Sequence, residues 1–364
     1  ALASLLGSFF FDRFDRKRAL LVCIGGLSLA SASVCLVNGL GSLLAARVLA
    51  GLFAGPASSL SIAIMADVVP AERRGRAMAI MMSSMALVTV LGVPAALFLG
   101  ERFGWQTPFL AVAVLGLFVW MLSAWALPAM RGHLIAATAH DAVGNLRILL
   151  RTPSVAGSLL LPGLHIGAMF VLVPYISPYV QHNLAYPRSE LATLYLAGGG
   201  VSLIGMQMSG PLVDRIGVWR VYLASSILLV IVLVAGFVTS PPMLPVLAFF
   251  PAFMLAMSTR NVPFQALVSR VPPMAQRAQY MGLSTAAMHL SASLGSFTGP
   301  LLLSSHDDGS LVGVPGAAAI GIVGALCVPV LLARLERRVR LNEARWAQDE
   351  RAPGVGGVAG RGPA

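Results

Sequence analysis

Charged residues are scarce in this chain. Only 11% of its 364 residues are Asp, Glu, Lys or Arg, whereas 57% are hydrophobic, and the mean hydropathy is +0.83. A soluble globule of this length needs more polar surface than such a composition supplies. The sequence therefore predicts an integral membrane protein.

Cysteine is almost absent, and the cysteines that occur are not arranged to bind a metal. Cys23, Cys35 and Cys327 each lie within an apolar run, without the spacing of metal ligands. We therefore expect no disulfide framework, no metal site and no cofactor. His and Asp residues are not clustered as a catalytic site requires, which argues against a membrane-embedded enzyme.

Acidic residues are missing from the interior of the apolar runs. The 14 Asp and Glu residues lie in the breaks between runs or close to the ends of the runs. The runs of this sequence therefore contain no carboxylate to carry protons across the membrane. If the protein carries protons, we expect the carrier to be a histidine or a carboxylate outside this sequence.

The basic residues give the chain a formal net charge of +11. In a soluble protein this charge would indicate nucleic acid, but here the Arg and Lys residues fall between apolar runs, where the positive-inside rule accounts for them. They concentrate on alternate loops and in the tail, and the opposite loops hold Arg102 and Arg188. We expect no nucleic-acid partner. The asymmetry predicts a cytoplasmic C-terminus, and we expect a multi-pass protein of the bacterial inner (plasma) membrane.

The apolar runs have the length of membrane-spanning helices, for which about 20 residues are needed. We predict one partial and ten full spans, at 1–11 (partial), 19–38, 43–66, 76–99, 108–127, 154–180, 191–213, 220–239, 243–267, 279–303 and 315–333. The longest interior loop, 128–152, is predicted to lie in the cytoplasm and to join an N-terminal bundle, 1–127, to a C-terminal bundle, 153–333. Residues 334–364 are predicted to form a cytoplasmic tail that starts as a basic helix and ends in disorder.

A charged turn occurs twice, in one register. The first copy contains Asp12, Arg13 and Arg16, and the second, beginning 202 residues later, contains Asp214, Arg215 and Arg220. This repetition indicates a duplicated membrane bundle. The charges can bridge neighbouring helix ends in one conformation and so form a conformational latch. The alternative is a solvated turn with positive-inside arginines.

These turns resemble the signature of the major facilitator superfamily of secondary transporters, Gly-x-x-x-Asp-Arg-x-Gly-x-x-Arg. The second copy fits at Gly210, Asp214, Arg215, Gly217 and Arg220, whereas the first has Ser8 and Asp15 where the family has glycine. The resemblance implies an all-α polytopic fold of two pseudo-symmetric six-helix bundles, with helix 1 and part of helix 2 outside this sequence. It also implies that Asp67 pairs with the charges of the first copy.

A second pattern resembles the drug and sugar efflux branch of this family, often described as arabinose-efflux-permease-like. Gly92 and Pro94 form its Gly-x-Pro motif, in which a helix can bend, and Gly104-Trp105 precede the next span. The resemblance implies a monomer that exports a small drug-like or sugar-like solute by alternating access, with protons as the coupling ion. The alternatives are an uptake carrier for a small organic anion and a non-transporting receptor or channel.

Six polar residues lie inside predicted spans and are candidates for the substrate pathway: Arg47, His165, Arg260, Asn261, Gln265 and His289. A charge at this depth must face protein or water, because exposure to lipid is costly. Arg47 also matches the family's Arg-x-x-x-Gly motif with Gly51, although it is close enough to the outer end of its span to reach the interface. For Arg260 the alternative is a structural arginine bonded to carbonyls, and for either histidine it is a hydrogen-bonded packing role.

Overall fold

The computed structural model describes residues 15–69, 84, 87–128, 158–239, 242–271 and 277–349. Within these ranges ten α-helices are longer than a single turn, and we number them in chain order. They are α1 (Arg16–Ala32), α2 (Leu40–Val68), α3 (Val93–Phe103), α4 (Thr107–Ala126), α5 (Leu160–Phe170), α6 (Leu191–Ile216), α7 (Val218–Leu233), α8 (Val246–Val268), α9 (Arg277–Leu302) and α10 (Val314–Asp349). Two short antiparallel strands, β1 (Ser304–Ser305) and β2 (Leu311–Val312), form a hairpin between α9 and α10.

The helices agree with the predicted spans that fall in the described ranges. The predicted partial span 1–11, the first part of 76–99 and nearly all of the predicted loop 128–152 lie outside the described residues. Within the described ranges, seven stretches are long and apolar enough to cross a membrane: Arg16–Leu36, Leu40–Ser58, Thr107–Ala126, Leu160–Asn183, Arg188–Ile216, Val218–Val238 and Val314–Leu341. Helices α8 and α9 have spanning length as well but carry more polar residues. Continuous helix is expected in a bilayer because it satisfies its backbone hydrogen bonds internally.

The predicted span 154–180 differs from the others, since it is not one regular helix. After α5 the chain passes through a 3₁₀ turn at Val173–Tyr175, a short helical turn at Ile176–Pro178 and a π turn at Tyr179–Asn183. Pro174 and Pro178 lack the N–H groups that a regular ladder needs, which explains the irregularity. The stretch is held in place by Tyr179, whose hydroxyl donates to the Gly236 carbonyl at 2.8 Å.

The last helix is longer than the predicted span 315–333, because α10 continues to Asp349. Beyond the apolar segment, Leu335 and Val339 remain buried while Arg334, Arg337 and Arg338 are exposed. A basic helix at the start of the tail was predicted, and the structure has one. Residues 350–364, where disorder was predicted, lie outside the described residues.

The two copies of the charged turn place different residues at equivalent positions. Helix α6 ends at Ile216 and α7 begins at Val218, so Gly217 alone joins them, with φ +92°. This left-handed conformation favours glycine. Asp15, 202 residues earlier, precedes α1 with φ −54° and accepts a hydrogen bond from the Lys17 N–H through its carboxylate at 2.9 Å. An N-cap aspartate thus begins the helix where the second copy uses glycine.

Small residues allow the C-terminal helices to approach closely. Helix α5 packs against α9 along Gly163 and Gly167, both of which face Ser291. On its other side α5 packs against α10, where Gly324 lies against Ala168. Packing of this kind, through Gly and Ser rather than through large side chains, is typical of membrane helices. It places α5 between α9 and α10.

The N-terminal helices form a smaller group in the described ranges. Helix α1 packs against α2 and α4, around a core that includes Leu20, Cys23 and Leu60. Helix α3 packs against α6, and Leu97 contacts the hydrophobic core of the C-terminal helices. The described N-terminal and C-terminal helices therefore meet at the α3–α6 contact.

Candidate functional site

Arg260 lies near the middle of α8 and is almost completely buried, with 1% of its surface exposed. Its Nη2 donates a hydrogen bond to the hydroxyl of Tyr222 on α7, at 2.8 Å, and its Cζ lies 5.0 Å from the centre of the Tyr222 ring. The ring face and the hydroxyl both stabilise the cation. Its Nε is buried and has no hydrogen-bond partner in the described part of the chain.

His165 on α5 joins Tyr222 to a second residue of α8. Its Nδ1 lies 2.8 Å from the Tyr222 hydroxyl, and its Nε2 lies 2.9 Å from Oδ1 of Asn261. The imidazole stacks on Phe264 with a centroid distance of 4.2 Å and an interplanar angle of 6°. Three helices therefore contribute to one polar network inside the C-terminal bundle.

The direction of each hydrogen bond in this network follows from the chemistry of its members. An arginine can only donate, so the Tyr222 oxygen accepts from Arg260. The Tyr222 hydroxyl then donates to Nδ1 of His165, and Nε2–H donates to the Asn261 carbonyl oxygen. Every bond is satisfied when His165 is neutral with its proton on Nε2. A low-dielectric bundle interior strengthens a connected chain of this kind.

Asn261 is the member of the network with access to open space. It is half-buried, and its amide nitrogen makes no hydrogen bond within the described residues. Ser258 and Gln265, which lie about one turn away on either side on the same face of α8, are also half-buried, and the buried Oε1 of Gln265 has no partner among described groups. Hydrogen-bonding groups without partners are costly when they face hydrocarbon, which makes this face of α8 the candidate lining of a solute pathway. We call Ser258, Asn261 and Gln265 the polar face of α8.

Arg47 lies apart from this network, about two turns into α2. Its Cζ is 4.4 Å from the centre of the Phe109 ring at the start of α4. Its Nε and Nη2 are buried without hydrogen-bond partners in the described part of the chain. The Phe109 ring is therefore the contact that the structure gives this cation, and it stabilises the charge by a cation–π interaction.

The other predicted pathway residue, His289, does not join the network. It is exposed on α9, and its side chain makes no hydrogen bond within the described residues.

The predicted bending site, Gly92 and Pro94, is at an irregular point of its helix. A π turn at Val88–Gly92 lies just before Pro94. Proline removes a backbone donor and clashes with the preceding turn, which favours such a widening. Bending at this point during transport stays a prediction.

The latch residues are described only in the second copy and at the end of the first. Asp214, Arg215 and Arg220 are exposed and form no ion pair within the described ranges. Arg16 is half-buried as the first residue of α1. Asp12, Arg13 and the Asp67 side chain lie outside the described residues. The latch therefore stays a prediction.

Sequence reasoning did not find Tyr222, although it is the centre of the network. It lies in α7 among apolar residues and is completely buried. A buried tyrosine usually needs a partner for its hydroxyl, and this was the available signal. Its partners are 38 and 57 residues away in sequence, so spacing did not reveal them.

Apolar helices of spanning length, with a buried polar network between three of them, define a helical membrane protein with polar groups inside its bundle. The sequence model of the Major Facilitator Superfamily matches residues 1–296, so the chain belongs to this family. It is therefore a secondary transporter of a small solute and not an enzyme.

Individual relatives agree with this assignment. The chain is 32% identical over 322 residues to the Inner membrane transport protein YdhP of Escherichia coli O157:H7. The aligned region covers 84% of this chain and 77% of that protein. It is 31% identical over 173 residues to a Chloramphenicol resistance protein of Streptomyces lividans, covering 48% and 44% of the two chains. Among solved structures, that of a D-xylose-proton symporter matches with a TM-score of 0.70 at 20% identity, covering 90% of this chain and 83% of the other. At that identity the structural match shows the shared fold alone.

Proposed function

We propose that this protein exports a small drug-like or sugar-like solute across the bacterial inner membrane in exchange for protons. The observation that carries the proposal is the polar face of α8, where Ser258, Asn261 and Gln265 offer hydrogen-bonding groups that the described protein does not use. A mostly apolar bundle with a few unpaired polar groups suits a solute that combines apolar and polar parts. Similarity to a Chloramphenicol resistance protein supports the outward direction.

Arg47, Arg260 and His289 complete the proposed pathway, and alternating access would expose it to each side of the membrane in turn. The charged turns act as the latch of one conformation: Asp12, Arg13, Arg16 and Asp67 in the first copy, and Asp214, Arg215 and Arg220 in the second. The excess of arginine on their side of the membrane supports a cytoplasmic location for them and for the C-terminus.

The test uses chloramphenicol as the probe in inside-out membrane vesicles that contain the full-length protein. An imposed proton gradient, acidic inside, should drive radiolabelled chloramphenicol into the vesicles. A protonophore should abolish this uptake, and vesicles without the protein should show none. Uptake that saturates and exchanges with unlabelled solute distinguishes a carrier from a channel. Gradient-independent or absent uptake would refute proton-coupled export of this compound.

A second candidate function, uptake of a small organic anion, is favoured by one observation. The Arg260 guanidinium is buried without a carboxylate partner in the described ranges, and its Nε is unused. An anion reaching this group would be attracted strongly in a low-dielectric site. Right-side-out vesicles with benzenesulfonate as the probe separate the two functions, because this permanently charged anion does not cross the bilayer unaided: an uptake carrier would accumulate it under an acid-outside gradient and an exporter would not.

A further inference from the structure

The hydrogen-bonded network joins a buried charge at one end to an amide at the other whose nitrogen makes no hydrogen bond within the described residues. The charge is the Arg260 guanidinium, and the amide is that of Asn261. Both residues lie on α8, but no direct hydrogen bond joins their side chains. The connection passes through Tyr222 on α7 and His165 on α5.

One arrangement satisfies every member of the connection. Arg260 has only donors, so the Tyr222 oxygen accepts from it, and the acceptor that the network offers the hydroxyl proton is Nδ1 of His165. With Nδ1 as acceptor, the neutral imidazole carries its proton on Nε2. Nε2–H then requires an acceptor, and the Asn261 carbonyl oxygen is 2.9 Å away.

The opposite arrangement fails for a physical reason. If the Asn261 amide were turned over, its NH₂ group would face Nε2, and the proton of His165 would move to Nδ1. The Tyr222 oxygen would then accept from both Arg260 and His165, and its own proton would have no acceptor in the described network. An unsatisfied buried donor costs about 1–3 kcal/mol, which favours the observed orientation.

We propose that Tyr222 and His165 are positioning residues that hold the Asn261 amide with its N–H donors towards the solute pathway, so that Asn261 selects a solute with an acceptor oxygen. The inference rests on the proposed pathway role of the polar face of α8. It narrows the solute class to compounds with a carbonyl, hydroxyl, ether or carboxylate oxygen at this position. A cationic amine without an acceptor oxygen would meet a donor and be disfavoured.

The first test reads the histidine directly and needs no solute. The full-length protein, labelled with ¹⁵N-histidine, is reconstituted in lipid nanodiscs and studied by solid-state NMR, and a His165→Gln variant identifies the His165 signals. We expect one protonated nitrogen, Nε2, and one unprotonated nitrogen, Nδ1. A proton on Nδ1 alone, or on both nitrogens, would overturn the proposal.

The second test asks whether Tyr222 sets this state. Tyr222→Phe removes the hydroxyl that bonds Nδ1, so the His165 signals should shift or divide between the two tautomers. Tyr280→Phe is the matched control, because Tyr280 is equally buried but bonds to Ser158, at 2.6 Å, outside the network. Unchanged His165 signals in Tyr222→Phe, or equal changes in both variants, would contradict a positioning role for Tyr222.

The third test concerns the solute and uses chloramphenicol, which has acceptor oxygens. Asn261→Asp replaces the N–H donors with acceptors, and Tyr222→Phe frees the amide to turn. Each should raise KM about fivefold, as expected for the loss of one hydrogen bond, while the yield of folded protein remains. Tyr280→Phe should leave KM unchanged. A KM that stays at the wild-type value in Asn261→Asp would remove Asn261 from the solute site.

Two results separate this inference from the proposed function. If chloramphenicol is not transported, the export proposal for that compound fails, while the tautomer experiment still decides the orientation of the amide.

Access to the pathway is tested independently by labelling Asn261→Cys with a charged thiol reagent, with the buried neighbour Phe264→Cys as the control. Labelling of position 261 alone is expected, and protection of both positions would show that the polar face of α8 does not meet water.

Discussion

Gly295 on α9 packs directly against the backbone carbonyl of Gly167 on α5, so that the two helices touch without an intervening side chain. A methyl group at position 295 would overlap that carbonyl oxygen, and rigid backbone has little room to move aside. The α5–α9 contact therefore depends on the absence of a side chain at this point.

Gly295→Ala should destabilise the protein by about 1–3 kcal/mol, because overpacking forces the two backbones apart. The measurement is the midpoint of unfolding of the purified protein in detergent. Gly200→Ala provides the matched control, since Gly200 is also within a helix but has open space where the methyl group would lie. An equal midpoint for both variants would contradict direct backbone contact.

Arg260→Gln and Tyr222→Phe should be energetically coupled. Each single substitution removes one partner of a buried hydrogen bond and should cost about 1–3 kcal/mol. The double variant should lose less than the sum of the two, with a coupling of about 0.5–3 kcal/mol, because the hydrogen bond between Arg260 and Tyr222 is already broken by either substitution alone. The free energy of unfolding in detergent measures this cycle. Tyr280→Phe combined with Arg260→Gln should show additive costs.

Substitutions of Arg260 distinguish a pathway role of this residue from a purely structural one. Arg260→Lys keeps the charge but loses the planar guanidinium, so a solute site that grips an anion at two points should lose affinity. A purely structural role would instead reduce the yield of folded protein. Normal transport by a well-folded Arg260→Gln protein would rule out the pathway role.

Neutralising both copies of the charged turn should slow transport without affecting membrane insertion. Asp12→Asn together with Asp214→Asn removes charges proposed to stabilise one conformation, and the apolar spans that direct insertion are unchanged. Turnover in vesicles and the amount of protein in the membrane are the two measurements. Glu101→Gln, an exposed carboxylate outside both turns, should have no effect. Wild-type turnover in the double variant would eliminate the latch.

The orientation in the membrane can be tested by cysteine labelling. Asp308 lies exposed in the turn between β1 and β2, on a side of the membrane that carries few arginines. Asp308→Cys should therefore react with a membrane-impermeant thiol reagent added outside the cell, whereas Arg74→Cys should react only after the reagent reaches the cytoplasm. The reverse pattern would overturn the proposed topology.

The sequence by itself determined the membrane class, the approximate spans and the duplicated turn. These features depend on local properties: the bilayer requires about 20 apolar residues in a run, and glycine at position 217 permits the positive φ of a one-residue turn. The same local reasoning identified Arg260, His165 and Asn261 separately, because polar side chains are conspicuous in an apolar run. It did not show that they are connected.

Tertiary structure alone decided which of these residues meet. Membrane helices are apolar on nearly every face, so hydrophobic periodicity does not indicate which face packs against a neighbour. Tyr222 became the centre of the network, and Gly167 met Gly295, because helices distant in sequence fit together in shape and hydrogen bonding. His289 was excluded from the network for the same reason, since its side chain points to an exposed face of α9.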